Sequence, residues 1–317
     1  MRDEPPDLPL TRVAEFLRIH WGIEPAAVKY APVGHGSHHW IASNAAGPAW
    51  FVIGDRLSDG RWVELSASAQ VARRLADSGC DFVLAPIPDR TDTLVRALPE
   101  NWALQVAPYV RGRSTDQGAW TDPDEQREIA RMIGRVHSEP PPASVPRWNS
   151  TPVNRDEIES ALQDLDQPWP GAEPTRTVLK NHRTVLENLL ERYDVLLTRI
   201  EDDADPWVLT HGEPDSDNVI RTDDGRMLLI DWTSVAIAPR ERDLFDVAQG
   251  PVEVSAAYRE TAGRHDARPA AMELIGLYWR LSHLGQDIKR LRQALDGPAW
   301  ERLHKRLVRP PSHNPAD

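Results

Sequence analysis

The chain has 317 residues, 40% of them hydrophobic, enough for a substantial core in one two-lobed enzyme or two modest domains. A net charge of −12 excludes a nucleic-acid or anionic-membrane binder and favours a cationic small-molecule partner. No apolar run approaches the ~20 residues that cross a bilayer, the acidic start MRDEPPDLPL lacks the features of a signal peptide, and the lone cysteine, Cys80, suits a reducing cytoplasm.

Leu10, Val13, Phe16 and Leu17 sit at helical spacing, which predicts an amphipathic helix over 10–20. Strands are expected at Val28–Pro32, Trp40–Ser43 and Trp50–Ile53. Between the first two lies Gly34-His35-Gly36-Ser37-His38-His39. Glycines there would let backbone N–H groups approach a phosphate, so Gly34, Gly36 and Ser37 are candidate nucleotide contacts. His35, His38 and His39 read as polar loop residues rather than zinc ligands, because no matching Cys/His group completes a site.

A helix is expected over Glu64–Ser78, stopped at Gly79. Phe82–Ala85, Thr93–Leu98 and Trp102–Val106 read as strands. From Thr121 the pattern turns helical: a Thr-Asp-Pro cap opens a helix to about Ser138, and further helices follow over 155–165, 175–200 and 272–295. Arg309–Asp317 reads as a loose tail. The chain shows no internal repeat.

His211–Asp231 reads HGEPDSDNVIRTDDGRMLLID. It parses as strand end, acidic loop, strand, Asp224-Gly225 turn, apolar strand and aspartate. Two such strands would bring Glu213, Asn218 and Asp231 to neighbouring ends of one small sheet. That set suits phosphoryl transfer, which needs a carboxylate to orient a hydroxyl and hard oxygens for Mg²⁺.

These residues carry a family resemblance. His211–Asn218 resembles the HGDxxxxN loop of the aminoglycoside phosphotransferase and choline kinase-like family, and Ile230-Asp231-Trp232 its metal-binding IDW. Ile237–Leu244, IAPRERDL, resembles the AP-x-ERDL segment of spectinomycin phosphotransferase-like enzymes. The resemblance implies an α+β, bilobal protein kinase-like fold: a β-rich N-lobe over 1–107 and a mainly helical C-lobe over 108–317. It implies Glu213 as catalytic carboxylate, although most of the family has Asp there. It also implies Asn218 and Asp231 on Mg²⁺, ATP or GTP as co-substrate, and adenine read by backbone groups near Gln105, Ala107 and Tyr109. Pro108 has no N–H, so its neighbours must donate.

The acceptor implied is a hydroxylated, cationic aminoglycoside or aminocyclitol. Asp215 and Asp217 read equally as solvated loop charges or as acids that attract Mg²⁺ or a substrate ammonium group. An amino alcohol or sugar is the alternative. His211 and Asp243 read as structural supports of the loop. One departure stands out. The family's lysine on the third strand falls at Ile53 or Gly54, and the only lysines are Lys29, Lys180, Lys289 and Lys305. Arg56, Arg61 or Lys29 could replace it, or the chain could be a catalytically impaired nucleotide binder.

Overall fold

Alternation of side chains along the first strands builds a one-sided sheet. The structure, a computed structural model, describes residues 3–34, 36–114, 120–169, 172–263, 266–293 and 297–308. Strands β1 (Ala27–Ala31), β2 (His38–Asn44), β3 (Gly47–Arg56), β4 (Arg96–Leu98) and β5 (Trp102–Pro108) pair antiparallel in the order β1-β2-β3-β5-β4. Tyr30, Trp40, Val52 and Val106 lie in one cross-strand row. They pack with Trp102 against helix α1 (Leu10–Phe16). The adjacent rows, Lys29-Ile41-Phe51-Ala107 and Ala31-His39-Ile53-Gln105, therefore occupy the opposite face. The expected helix over 10–20 changes pitch midway: Leu17–Trp21 is a π-helical turn.

Helix α2 (Arg61–Asp77) joins this sheet to the rest of the chain. Its Leu65 and Ala69 pack on Ala103, while Val71, Ala72 and Leu75 share a core with Leu229 and Trp232. It starts earlier than the expected Glu64, because Trp62 and Val63 are exposed and the first turn adds nothing to the apolar stripe. Phe82–Ala85 is not a strand. It makes one bridge to Leu229, whose N–H donates to the Phe82 carbonyl at 2.7 Å. The strand expected from Thr93 is cut to β4, because Asp89 Oδ1 captures the N–H groups of Thr91 and Thr93.

Beyond β5 the chain is mainly helical. After the short β6 (Gly112–Arg113), α3 (Pro123–Ser138) is capped by Asp122, whose carboxylate accepts from Asp124 N at 2.8 Å and Glu125 N at 3.2 Å. Then come α4 (Arg155–Gln163), α5 (Glu173–Asn181) and α6 (Arg183–Glu201). The single helix expected over 175–200 is thus two, because His182 leaves helical geometry at φ −112°. Strands β7 (Val208–Thr210), β8 (Val219–Thr222), β9 (Met227–Leu229) and β10 (Ala236–Ala238) carry the motif region. Helices α7 (Glu241–Val247), α8 (Ser255–Ala262), α9 (Pro269–Gln293) and α10 (Gly297–Val308) follow. The helices α8 and α10 have no counterpart among the expected elements. Leu274, Leu281, Leu284 and Ile288 of α9 bury against Leu186, Leu190 and Tyr193 of α6. The tail expected over 309–317 and His35 lie outside the described residues.

The contact of α3 with α8 depends on Gly134. A Cβ there would lie 2.2 Å from Thr261 Oγ1 and 2.7 Å from the Tyr258 carbonyl. Gly134→Ala should therefore lower stability by about 1–3 kcal/mol. A shifted urea midpoint at unchanged m-value is the expected result.

Candidate active site

The motif splits between two small sheets, which corrects the expectation of one. Strand β7 pairs with β10, whereas β8 and β9 form a hairpin beside β6. Glu213 follows β7, Asn218 precedes β8 and Asp231 follows β9. Hydrogen bonds across the gap bring the three together. Asn218 Nδ2 donates to the Glu213 carbonyl at 2.9 Å, and Ile230 N donates to the Asn218 carbonyl at 2.9 Å.

The loop after β7 is moored by α7. Asp243, fully buried, accepts from His211 N at 2.8 Å, Gly212 N at 2.7 Å and His137 Nε2 at 3.0 Å. Burial alone would raise its pKa, but the hydrogen bond and charge of His137 and the Arg242 guanidinium outweigh it, so Asp243 stays below the usual carboxylate range. Arg242 Nη1 donates to Thr210 Oγ1 at 3.0 Å and to the Ser234 carbonyl at 2.9 Å. A Cβ on Gly212, at φ +106°, would lie 2.4 Å from that Nη1, so only glycine fits between loop and guanidinium. Arg240 pairs with Asp205 at 2.6 Å, and Arg268 holds Glu241 through Nε at 3.1 Å and Nη2 at 2.9 Å.

His211 is fully buried, and desolvation lowers its pKa, which keeps the ring neutral. Nε2–H donates to the Ile230 carbonyl at 2.9 Å, which leaves Nδ1 to accept from Glu213 N at 3.3 Å. The ring is thus spent on bracing. Glu213 is half-buried, and its Oε1 accepts from Ser234 Oγ at 2.9 Å. Asp231 is exposed, in a left-handed conformation at φ 59°, with Oδ1 accepting from Thr233 Oγ1 at 2.5 Å.

Around Glu213 stands an uncompensated group of acids. Asp215 Oδ1 and Asp217 Oδ1 are buried with no protein donor. Among the described residues no Lys or Arg forms an ion pair with Glu213, Asp215, Asp217 or Asp231. Burial, then the charges of Asp217 and Glu213, push the Asp215 carboxyl up to about 7. Burial followed by the charges of Asp215, Asp243 and Glu213 raises Asp246 well above the carboxylate range.

Among the described residues no trio of His, Cys, Asp or Glu forms a protein-only metal cage. Asn218, with Nδ2 committed to Glu213, and Asp231, with Oδ1 committed to Thr233, still have one oxygen each for a cation. That fits Mg²⁺, which takes one or two protein oxygens and fills its shell from phosphates and water.

On the sheet side, Gly34 and Gly36 adopt positive φ in the β1–β2 loop. Ser37 Oγ donates to Asp55 Oδ1 at 2.9 Å. His38 and His39 lie on opposite faces of β2: His38 bonds Tyr30 Oη at 2.9 Å, and His39 stacks on Phe51 at 5.1 Å. The donors expected beside Pro108 are already used. Tyr109 N–H goes to the Ala49 carbonyl at 3.0 Å, and the alternating ladder turns the Ala107 and Gln105 N–H groups toward β3 as well. Val106 faces the other way, its carbonyl accepting from Ile87 N at 2.8 Å. Gln105 and Ala107 can therefore line the site with their side chains, and Tyr109 with its ring or carbonyl, but none offers a spare N–H.

The phosphotransferase enzyme family, APH, matches residues 56–278. The chain belongs to that family. It is a small-molecule phosphotransferase whose acceptor group is an alcohol. Protein StrN of Streptomyces griseus is 27% identical over 89% of this chain and 87% of its own length. Among solved structures, a spectinomycin phosphotransferase in complex with ADP and spectinomycin superposes with a TM-score of 0.71 at 16% identity, covering 96% of this chain and 95% of the other. A microcompartment-associated aminopropanol kinase gives 0.59 at 11% identity over 95% and 94%. At those identities the likeness speaks to the fold, which is kinase-like.

Several residues of this candidate site carried no signal in the sequence. Ser234 is an ordinary serine until β10 folds back on β7. Asp246 and His137 matter only through neighbours far along the chain. Asp55 sits directly after Gly54, one of the two expected lysine positions, and nothing local marks it as a partner of Ser37 and Arg61.

The Asp215 shift makes a signed prediction. Its folded pKa lies above the unfolded value, so ionised Asp215 destabilises the ligand-free fold in full above about pH 7 and progressively less as the pH falls toward 4. Asp215→Asn should therefore raise Tm at pH 8, with the gain fading at pH 5. A gain that does not change with pH would contradict the burial of this charge.

Proposed function

We propose that this phosphotransferase moves the γ-phosphate of ATP or GTP to a hydroxyl of a cationic aminoglycoside- or aminocyclitol-type acceptor. The observation that carries the proposal is the Ser234-anchored Glu213 beside Asp215 and Asp217, whose buried oxygens have no protein donor. An ammonium group on the acceptor would satisfy those oxygens and place its hydroxyl at Glu213. A spectinomycin complex in a protein of the same fold supports the class.

In the reaction, the acceptor oxygen forms a bond to the γ-phosphorus while the bond to the bridging β–γ oxygen breaks. The hydroxyl proton passes to Glu213, whose Oε2 is left by Ser234's hold on Oε1, and the nucleoside diphosphate departs. Asn218 and Asp231 would hold Mg²⁺, which supplies charge neutralisation for the phosphates when bound. The sheet of residues 1–107, with Gly34, Gly36, Ser37, Gln105 and Ala107, forms the nucleotide side together with Tyr109 just past the boundary. Residues 108–317 supply the acceptor side.

An amino alcohol is the second reading. It offers the same ammonium and hydroxyl in a smaller body, and the fold is shared with an aminopropanol kinase. Labelled-phosphate transfer from ATP and GTP across aminocyclitols, aminoglycosides, amino alcohols and neutral sugars separates the two. Transfer only to neutral sugars would contradict the role of Asp215 and Asp217.

Glu213→Gln keeps the shape and removes the base. It should cut turnover by about 10²-fold or more while leaving nucleotide affinity unchanged. Wild-type turnover in that variant, with chemistry rate-limiting, would sink the assignment. Asp231→Asn should weaken Mg²⁺-dependent nucleotide binding measured by calorimetry and leave metal-free binding nearly unchanged.

A further inference from the structure

A nucleoside triphosphate is a polyanion, and a loop that closes over it needs a cation nearby. The only cation on the third strand is Arg56, at its last position. A Cβ on Gly54 would lie 2.6 Å from the Trp40 ring, so a longer side chain at that position has no room. Among the described residues the cations near it in sequence or on the sheet are Arg56, Lys29, Arg61 and Arg96, and Arg96 on β4 is held by Asp89 through Nε at 2.8 Å. Arg56 is engaged on the far face, with its guanidinium 4.2 Å over the Trp102 ring and bonded to the Glu100 carbonyl at 2.9 Å and to Asp7. Lys29 stands exposed on the edge strand β1, with β2 between it and β3.

Arg61 is placed differently. It opens α2, and its Nη2 donates to Asp55 Oδ1 at 2.7 Å. The same oxygen accepts from Ser37 Oγ at 2.9 Å. Asp55 is only 5% exposed and lies on β3, on the face it shares with Phe51 and Ile53. A single buried carboxylate therefore ties the glycine-bearing loop and a guanidinium to one point. Nη1 of Arg61 lies 3.3 Å from Glu64, and its side chain remains 26% exposed. With five N–H donors in a planar fork, Arg61 has groups left over after these contacts, and that fork matches phosphate oxygens.

We propose that Arg61, oriented by Asp55, binds the phosphate chain of the nucleotide beneath the loop containing Ser37, in place of a lysine on β3. In this pair the strand carries the acid and the helix the base. The inference rests on the nucleotide-dependent reaction proposed above.

Calorimetric titration of the full chain with adenosine, AMP, ADP and a non-hydrolysable ATP analogue, repeated with the guanosine series, tests it. Wild-type affinity should climb with phosphate number. Arg61→Ala should weaken triphosphate binding about 10- to 100-fold and leave nucleoside binding unchanged. Arg61→Lys, which keeps the charge but loses the fork, should recover part of the loss. If the alanine variant does not fold, Arg61→Gln gives the same readout with the stem retained. An unchanged ratio of triphosphate to nucleoside affinity, or an equal fall in both, would overturn the assignment and leave Arg61 a structural residue. Wild type that fails to prefer triphosphate over nucleoside in either series would overturn the phosphotransfer proposal, and this one with it.

Discussion

The Asp243 carboxylate is the point on which the catalytic side of the molecule depends. It is fully buried and accepts from two consecutive backbone N–H groups, those of His211 and Gly212, and from the His137 ring. Without it those amides would be buried and unsatisfied, at about 1–3 kcal/mol each. With it, the turn after β7 has one position relative to α7, and everything on that turn inherits the position. Glu213 follows directly, with its amide on His211 and one carboxylate oxygen on Ser234.

The residues beside Asp243 extend the same logic. Arg240 is anchored to Asp205, Glu241 to Arg268, and Arg242 to Thr210 and the Ser234 carbonyl. A run of charge at the start of a helix would ordinarily face water. Here it is buried and each residue of the run has a polar partner, although Arg240 Nε itself has none, so the segment locks β7, β10 and α7 into one arrangement. Such burial contributes little net stability, and what it contributes is geometry. The acids around Glu213 are the converse. Asp215 and Asp217 each keep a buried oxygen without a protein donor, which leaves a local electrostatic cost that the cationic acceptor proposed above would relieve.

Much of this was legible in the sequence because it is local. The spacing from Glu213 to Asn218 and the Asp-Gly turn act within a few residues, and the hairpin of β8 and β9 follows from them; the ERDL segment was legible as a resemblance, while its contacts reach to His211, Arg268 and His137. The strand character of β1 to β3 was equally local. The parts that were not legible depend on distant contacts. That β7 pairs with β10 rather than with the hairpin is decided by Ala236–Ala238 returning to Val208–Thr210. The lost N–H groups beside Pro108 follow from the phase of the β3–β5 ladder, which no local pattern announces. Trp40 filling the space at Gly54 is a packing event between strands. The break at His182 is a backbone event that the continuous helical pattern over 175–200 did not reveal.

The Asp243 carboxylate moors the loop after β7, and amide hydrogen exchange reads that mooring directly. In the wild-type chain the His211 and Gly212 amides should exchange as slowly as the core of α9. In Asp243→Asn they should lose protection while α9 stays protected, because a neutral amide cannot accept from both N–H groups and His137 as the carboxylate does. Fast exchange of His211 and Gly212 in the wild-type protein, or unchanged protection in the variant, would contradict the account.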